Sequence, residues 1–197
     1  MILRSEEQIT TLQPGRYAAS VIYFVHKETS EVLLGTHMRN PFAGTIDWFG
    51  GKYDESQGDT TMSACTYREA AQELGISREV IERIQLQLIG VLICYNKWEE
   101  TRNFRVPIYA GEVQSKDELA FQQASDGMQD IWRHRRDSLP IPLKWGAQEM
   151  ITHIANEAQE LLFLRIDNKK VDGHLQLQKL EKIAPKKYWE YYGKIMI

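Results

Sequence analysis

The chain is predicted to fold as an α/β sandwich around a mixed β-sheet. Three observations carry this. β-branched and aromatic runs open the chain, a capped helix stands between two sets of such runs, and an amphipathic helix follows the last of them. "RYAASVIYFVHK" reads as the first strand and "ETSEVLLGTHMR" as a turn and a second, so residues 17–39 form a hairpin. "NPFAG" is a loop, and "TIDWFGGK" is a short strand ending on a double glycine. "TTMSACTYREAAQELGI" is a helix, with Thr60 or Thr61 placed to cap its start and Gly75 where a left-handed C-cap belongs. "ISREVIERI" adds a helical turn. "QLQLIGVLICYN", "TRNFRVPIYAGEV" and "MQDIWRHR" are further strands, separated by "KWEE" and "SKDELAFQQASDG". After the Pro-bounded "SLPIPLKWG", "AQEMITHIANEAQELLFLRI" has the period of an amphipathic helix. One domain is expected over 1–165, with 1–16 leading in. Residues 166–197 form a lysine-rich, aromatic-ended C-terminal extension that is expected to be helical, and that could dock a second copy as a homodimer.

Composition narrows the class. With 43% apolar and 26% charged residues the chain has the balance of an ordinary globular domain, and its net charge of -3 gives no reason to expect nucleic acid or an anionic membrane as partner. No apolar stretch is long enough to span a bilayer, and the N-terminus lacks the apolar run of a secretory signal. The two cysteines, Cys65 and Cys94, are too few for a disulfide framework and have no CxxC spacing. They read as reduced, which places the chain in the cytoplasm.

Chemistry concentrates in "GGKYDESQGDTTMSACTYREAAQELGI", from Gly50 to Ile76. Side chains at i, i+3 and i+4 share a helix face, so Glu69, Gln72 and Glu73 form one oxygen-rich cluster. Tyr67, Ala70, Ala71 and Leu74 lie on the other side and can pack on a sheet. A Glu pair is often just a solvated helix face. Its alternative is a site for a hard divalent cation, since Mg²⁺ takes oxygen ligands from one or two carboxylates and completes its shell with water and substrate phosphates. The glycines that precede the helix, Gly50 and Gly51, let the backbone turn tightly and approach a ligand closely.

This combination resembles the Nudix box, G-x5-E-x7-R-E-U-x-E-E-x-G-U with U apolar. Arg68-Glu69-Ala70-Ala71-Gln72-Glu73-Leu74-Gly75-Ile76 matches its second half except that Gln72 replaces the first Glu of the EE pair. "MRNPFAG", "DWFGGKYDE" and "DIWRHRR" resemble the family's flanking segments, and the likeness spans roughly residues 17–160. Sixteen residues separate Gly51 from Arg68 where the box has thirteen, so the loop "KYDESQGD" carries three extra. Strict spacing puts the box's first Glu on Thr60. Asp59 stands one residue away, and Asp54 and Glu55 are other candidates.

The resemblance implies a Nudix-type α/β/α fold and Mg²⁺-dependent (or Mn²⁺-dependent) hydrolysis of a nucleoside diphosphate linked to another group, either a nucleoside triphosphate or a nucleotide sugar. It implies catalytic roles for Arg68, Glu69 and Glu73, and metal ligands among Glu69, Glu73, Gln72 and Asp59, with Asp59 acting by ligation or by bracing the shell. Substrate contacts are expected from Gly50, Gly51, Arg39 and Trp48, with Phe42, Tyr23 and Trp98 as further aromatic candidates for stacking a base. The general base is open among Glu99, Glu100, Asp126, Asp130 and His134. His26, His37, His153 and His174 show no ligand spacing. Gln72 and the lengthened loop motivate the alternative of a Nudix-fold ligand sensor with little turnover.

Overall fold

The computed structural model describes residues 19–38, 43–96, 104–114, 128–155, 161–172, 174–184 and 186–187. Strands β1 (Ala19–His26), β2 (Val32–His37), β3 (Ile46–Asp47) and β4 (Phe49–Lys52) come first. Helix α1 (Met62–Leu74) and the short α2 (Arg78–Ile81) follow, then β5 (Leu86–Asn96), β6 (Phe104–Val113) and β7 (Met128–His134). Helix α3 (Ala147–Ala155) leads to β8 (Leu162–Val171) and β9 (His174–Ile183). The described strands join in one sheet, in the order β3-β2-β1-β6-β5-β8-β9, with β4 added on β1 and β7 on β2. β1 runs parallel to β6 and β5 parallel to β8, while the other pairs are antiparallel.

β1 is apolar on both faces because both are covered. Ile22 and Phe24 pack with Ala70, Ala71 and Leu74 of α1, and the alternate residues Val21 and Tyr23 pack with Met150 and Ile151 of α3. One edge of β1 is shared: Ala19–Ile22 pair with Lys52–Phe49, whereas Phe24 and Val25 pair with Leu33 and Val32 of β2. The sheet divides there, and the glycine backbone of β4 is laid against α1. Thr61 caps α1 by accepting from the Ala64 N–H at 3.0 Å. At the other end Gly75 adopts φ 65° and its N–H reaches the Ala71 carbonyl, as the helix-stop reading required.

The C-terminal reading is corrected. The described part of α3 is Ala147–Ala155, and "LLFLRI" enters β8 instead of prolonging a helix. The run is apolar because β8 is inserted beside β5, in register from Gly90↔Leu162 to Asn96↔Asn168, with both faces covered along most of that length. β9 then returns antiparallel, so the extension's described residues up to Ile183 belong to a β-hairpin, not a helix. Phe163 and Ile183 share a cluster with Met62 of α1, which ties the hairpin to the main domain. Of the segments named above, 1–18, "KWEE", "SKDELAFQQASDG" and residues 188–197 lie outside the described residues.

Candidate active site

Arg68 is the organising side chain. It is almost fully buried, and its Nε and Nη2 donate to Asp59 Oδ1 and Oδ2 at 3.0 and 2.7 Å. Nη2 also donates to the Lys52 carbonyl at 2.7 Å, and Nη1 to Glu69 Oε1 at 2.7 Å and Gln72 Oε1 at 3.3 Å. A planar guanidinium suits this bidentate arrangement. One arginine thereby locks β4, the loop before α1 and two members of the oxygen cluster together.

Asp59 is the loop acid brought to Arg68. Its side chain is wholly buried, and Oδ2 also accepts from the Asp54 N–H at 2.9 Å. Burial works to raise its carboxyl pKa, but the bonds from Arg68 and the Asp54 amide outweigh this and hold it below the ordinary value. Both oxygens are committed to these donors, so the geometry supports bracing by Asp59, not ligation. Asp54 instead caps a 3-10 turn, Glu55–Gln57, by accepting from Ser56 and Gln57, and Gly58 closes the turn at φ 87°. The three extra residues fold locally and leave the Asp59–Arg68 contact intact. Glu55 is exposed.

Glu69 and Glu73 both lie against β4. A Cβ on Gly51 would fall 2.3 Å from the Glu69 carboxylate, so only glycine leaves room for it. Gly50 has φ 142° and no room for a side chain beside the Ser20 carbonyl, and its N–H donates to Glu73 Oε2 at 2.7 Å. The double glycine thus admits the protein's own carboxylates. Glu73 is largely enclosed, so the Glu pair is not simply a solvated helix face. Burial chiefly raises its pKa; the Gly50 N–H lowers it, Glu69 and Asp47 raise it, and Lys144 lowers it, for a value of about 8. Gln72 is exposed beside them.

We expect Gly51→Ala to displace the Glu69 carboxylate and to lower kcat by about tenfold or more, since misplacement by about 1 Å can cost a hundredfold. Steady-state kinetics with thermal unfolding as a control checks this. Unchanged kcat would mean that Glu69 needs no fixed position.

Other expectations fare differently. Trp48 is 3% exposed in the core, with Tyr23 edge-on at 5.3 Å and the Lys144 ammonium 5.1 Å from its ring centroid. It offers no open stacking face, and Tyr23 is fully buried as well. His134 sits at the Val32 end of β2, the end away from His37. Arg39, Phe42, Trp98, Glu99, Glu100 and Asp126 lie outside the described residues, and so does the side chain of Asp130. Cys65 and Cys94 are buried and free, and burial pushes both thiols up to about 12.

Sequence reasoning missed Asp47. It is fully buried, and its Oδ2 meets both His37 Nε2 at 3.0 Å and Lys144 Nζ at 2.6 Å. The available signal was an acid inside the apolar strand "TIDWF".

No known family's sequence profile matches the chain. No curated protein matches it either. Solved structures do. Mutator MutT protein from Bacillus halodurans superposes with a TM-score of 0.58 at 16% identity, over 83% of this chain and 95% of that one. The Nudix domain of Shewanella oneidensis NrtR, complexed with ADP ribose, gives 0.57 at 16% identity, over 72% and 88%. Shewanella oneidensis NrtR complexed with a 27mer DNA gives 0.52 at 17% identity, over 71% and 61%. An Ap4A hydrolase from C. elegans, a binary complex, gives 0.51 at 18%, over 71% and 95%. The chain therefore has the Nudix fold, a mixed sheet between helices, as the box residues implied.

Proposed function

We propose that this chain is a Mg²⁺-dependent Nudix hydrolase that cleaves a nucleoside diphosphate linked to another moiety. One observation carries the reading: Glu69 and Glu73, one turn apart, lie against the Gly50–Gly51 backbone, Glu69 held by an arginine committed to Asp59 and Glu73 by the Gly50 N–H. Among the described residues no three His, Cys, Asp or Glu form a closed metal cluster. Two carboxylates and the amide oxygen of Gln72 form an open donor set, which suits a cation that keeps waters and takes substrate phosphates. Burial, with Glu69 and Asp47 nearby, raises the Glu73 pKa to about 8, and a cation bound there would offset that cost. The neighbours bound to ADP ribose and acting on Ap4A favour a nucleotide ligand.

Glu69 and Glu73 would hold Mg²⁺, with Mn²⁺ as a substitute. Bound there, the cation would offset phosphate charge and acidify water. Arg68 fixes the Glu69 carboxylate and blocks its rotation through the bond from Nη1. Asp59 fixes Arg68 in turn. The Gly50 amide holds Glu73 Oε2 and so sets which lone pairs face the cation. The described helices include none long and apolar enough to cross a membrane, and two buried free thiols suit a cytoplasmic setting.

The test is release of mononucleotide from a panel of nucleoside triphosphates, nucleotide sugars and dinucleotide polyphosphates with Mg²⁺. We expect at least one substrate to turn over, and to stop doing so with chelator. The NrtR likeness and Gln72 favour the second reading, a ligand-responsive module. Tight nucleotide binding without turnover across the panel would select it. If the face beside Glu73 holds the metal, Gln72→Glu should lower the Mg²⁺ concentration for half-maximal activity by about threefold or more, because it adds a third carboxylate. An unchanged Mg²⁺ titration would place position 72 outside the metal shell.

A further inference from the structure

The β8–β9 hairpin ends the sheet on an open edge. β9 is the last strand in the order, and among the described residues β8 is its one strand partner. Such an edge presents unpaired N–H and C=O groups to any strand that can match it, and proteins usually shield it with lysines or a bulge. β9 has a bulge: Asp167 faces Lys179 while Asn168 faces Leu177, which leaves Gln178 out of register. Lys179–Ile183 remains a regular stretch. Its first lysine is answered by an acid two residues on. Lys179 and Glu181 share one face, and their side chains meet at 2.7 Å.

That pair selects a partner. Two copies of one strand close an antiparallel edge-to-edge pair about a two-fold axis. Opposed residues must share a face of the joined sheet, so the axis passes at a residue and not between two. An axis at Lys179 or Lys182 sets lysine against lysine, and one at Glu181 sets glutamate against glutamate, each unfavourable. An axis at Ile183 carries the pairing past the end of the strand. An axis at Leu180 sets Lys179 of each copy against Glu181 of the other, twice. On β8, Arg165 faces Glu181 and Asp167 faces Lys179. The row across the seam then reads Arg165, Glu181, Lys179, Asp167, alternating in sign throughout. On the opposite face it reads Ile166, Leu180, Leu180, Ile166, apolar throughout. Leu180 is half-buried against the core beneath α3, and the copy would cover its remaining surface. We propose that the outer edge of β9 is a self-association surface, on which a second copy of this chain pairs β9 with β9 about Leu180 and joins the two sheets into one. This surface is independent of the chemistry proposed for the cleft.

The experiment is sedimentation velocity of the full chain from low micromolar to several hundred micromolar, with hydrogen exchange of the β9 amides over the same range. Wild type should pass from monomer to dimer, and the Lys179–Lys182 amides that face away from β8 should slow in step. Lys179→Glu and Glu181→Lys each set like charges across the seam twice, and each should raise the dimer dissociation constant by about tenfold or more. Circular dichroism confirms that each is folded. Mixed in equal amounts, the two variants present opposite charges at both seam positions and should pair with each other to within about threefold of wild-type affinity. A wild type that stays monomeric overturns the proposal, and β9 amides protected at every concentration would then mean that the chain covers its own edge. A dimer that both variants leave intact uses another face and overturns it as well. Variants that dissociate yet do not pair when mixed overturn the Leu180 register. Should either variant fail to fold, the wild-type exchange decides, and exchange at Lys179–Lys182 that does not change as the dimer forms overturns the proposal.

Discussion

Glu73→Gln is expected to lower turnover by at least about a hundredfold and, in chelator, to make the folded chain more stable at pH 8 than wild type. The first effect follows from removing one of two carboxylates proposed to hold the cation, whose electrostatic contribution is several kcal/mol. The second follows from burial. The Glu73 carboxyl titrates near 8 in the fold against an ordinary 4.5. Between those values the folded chain keeps a proton that the unfolded chain has lost, so stability falls as pH rises through that window. Glutamine cannot ionise, and its amide oxygen can still accept from the Gly50 N–H. The gain should be on the order of 2–4 kcal/mol at pH 8 and vanish near pH 4. Urea unfolding at pH 5 and pH 8 measures it. Equal stability with unchanged activity would remove Glu73 from the site.

The second large effect is expected at Arg68. Arg68→Met leaves the wholly buried Asp59 carboxylate without its guanidinium and the Lys52 carbonyl without its donor. Breaking one side of a buried pair costs about 3–5 kcal/mol. Turnover should fall by about 10–100-fold through loss of the brace on Glu69. Asp59→Asn should act in the same direction, while Asp54→Asn and Glu55→Gln, both in the exposed turn, should matter less. The double variant Arg68→Met with Asp59→Leu should recover much of the stability and none of the activity, because no charge is left buried yet Glu69 stays unbraced. Stability of the double variant no better than that of Arg68→Met would mean that the pair is not what the single change breaks. The Asp59 pKa is depressed in the fold, so its contribution is present at neutral pH and is lost as pH falls below about 4.

Local chemistry explains what was legible. The strands of the main domain were marked by branched and aromatic runs, and α1 by Thr61 and Gly75 at its ends. The placement of Glu69, Gln72 and Glu73 on one helix face followed from helical spacing alone. The enclosure of Glu73 did not, because it depends on β4 lying across the helix through Gly50. The tail was misread since a short apolar run such as "LLFLRI" suits a buried strand or a helix equally. The Asp172-Gly173 pair between β8 and β9 and the alternation in "HLQLQ" were the available hairpin signals. The Asp47–Lys144 contact joins residues almost a hundred positions apart, through a β-bridge between Ile46 and Leu143, and no spacing rule reaches that far.

The central claim is that Glu69 and Glu73, set against the double glycine, hold a divalent cation. Its most direct measurement is Mn²⁺ binding followed by electron paramagnetic resonance, in wild type and Glu73→Gln, from pH 6 to pH 9. In wild type, affinity should rise with pH up to about 8, as the cation displaces the Glu73 proton. In Glu73→Gln, affinity should be weaker by about tenfold or more at pH 8, and the pH dependence over that range should disappear. Mn²⁺ binding of equal strength and equal pH dependence in the two proteins would contradict the claim.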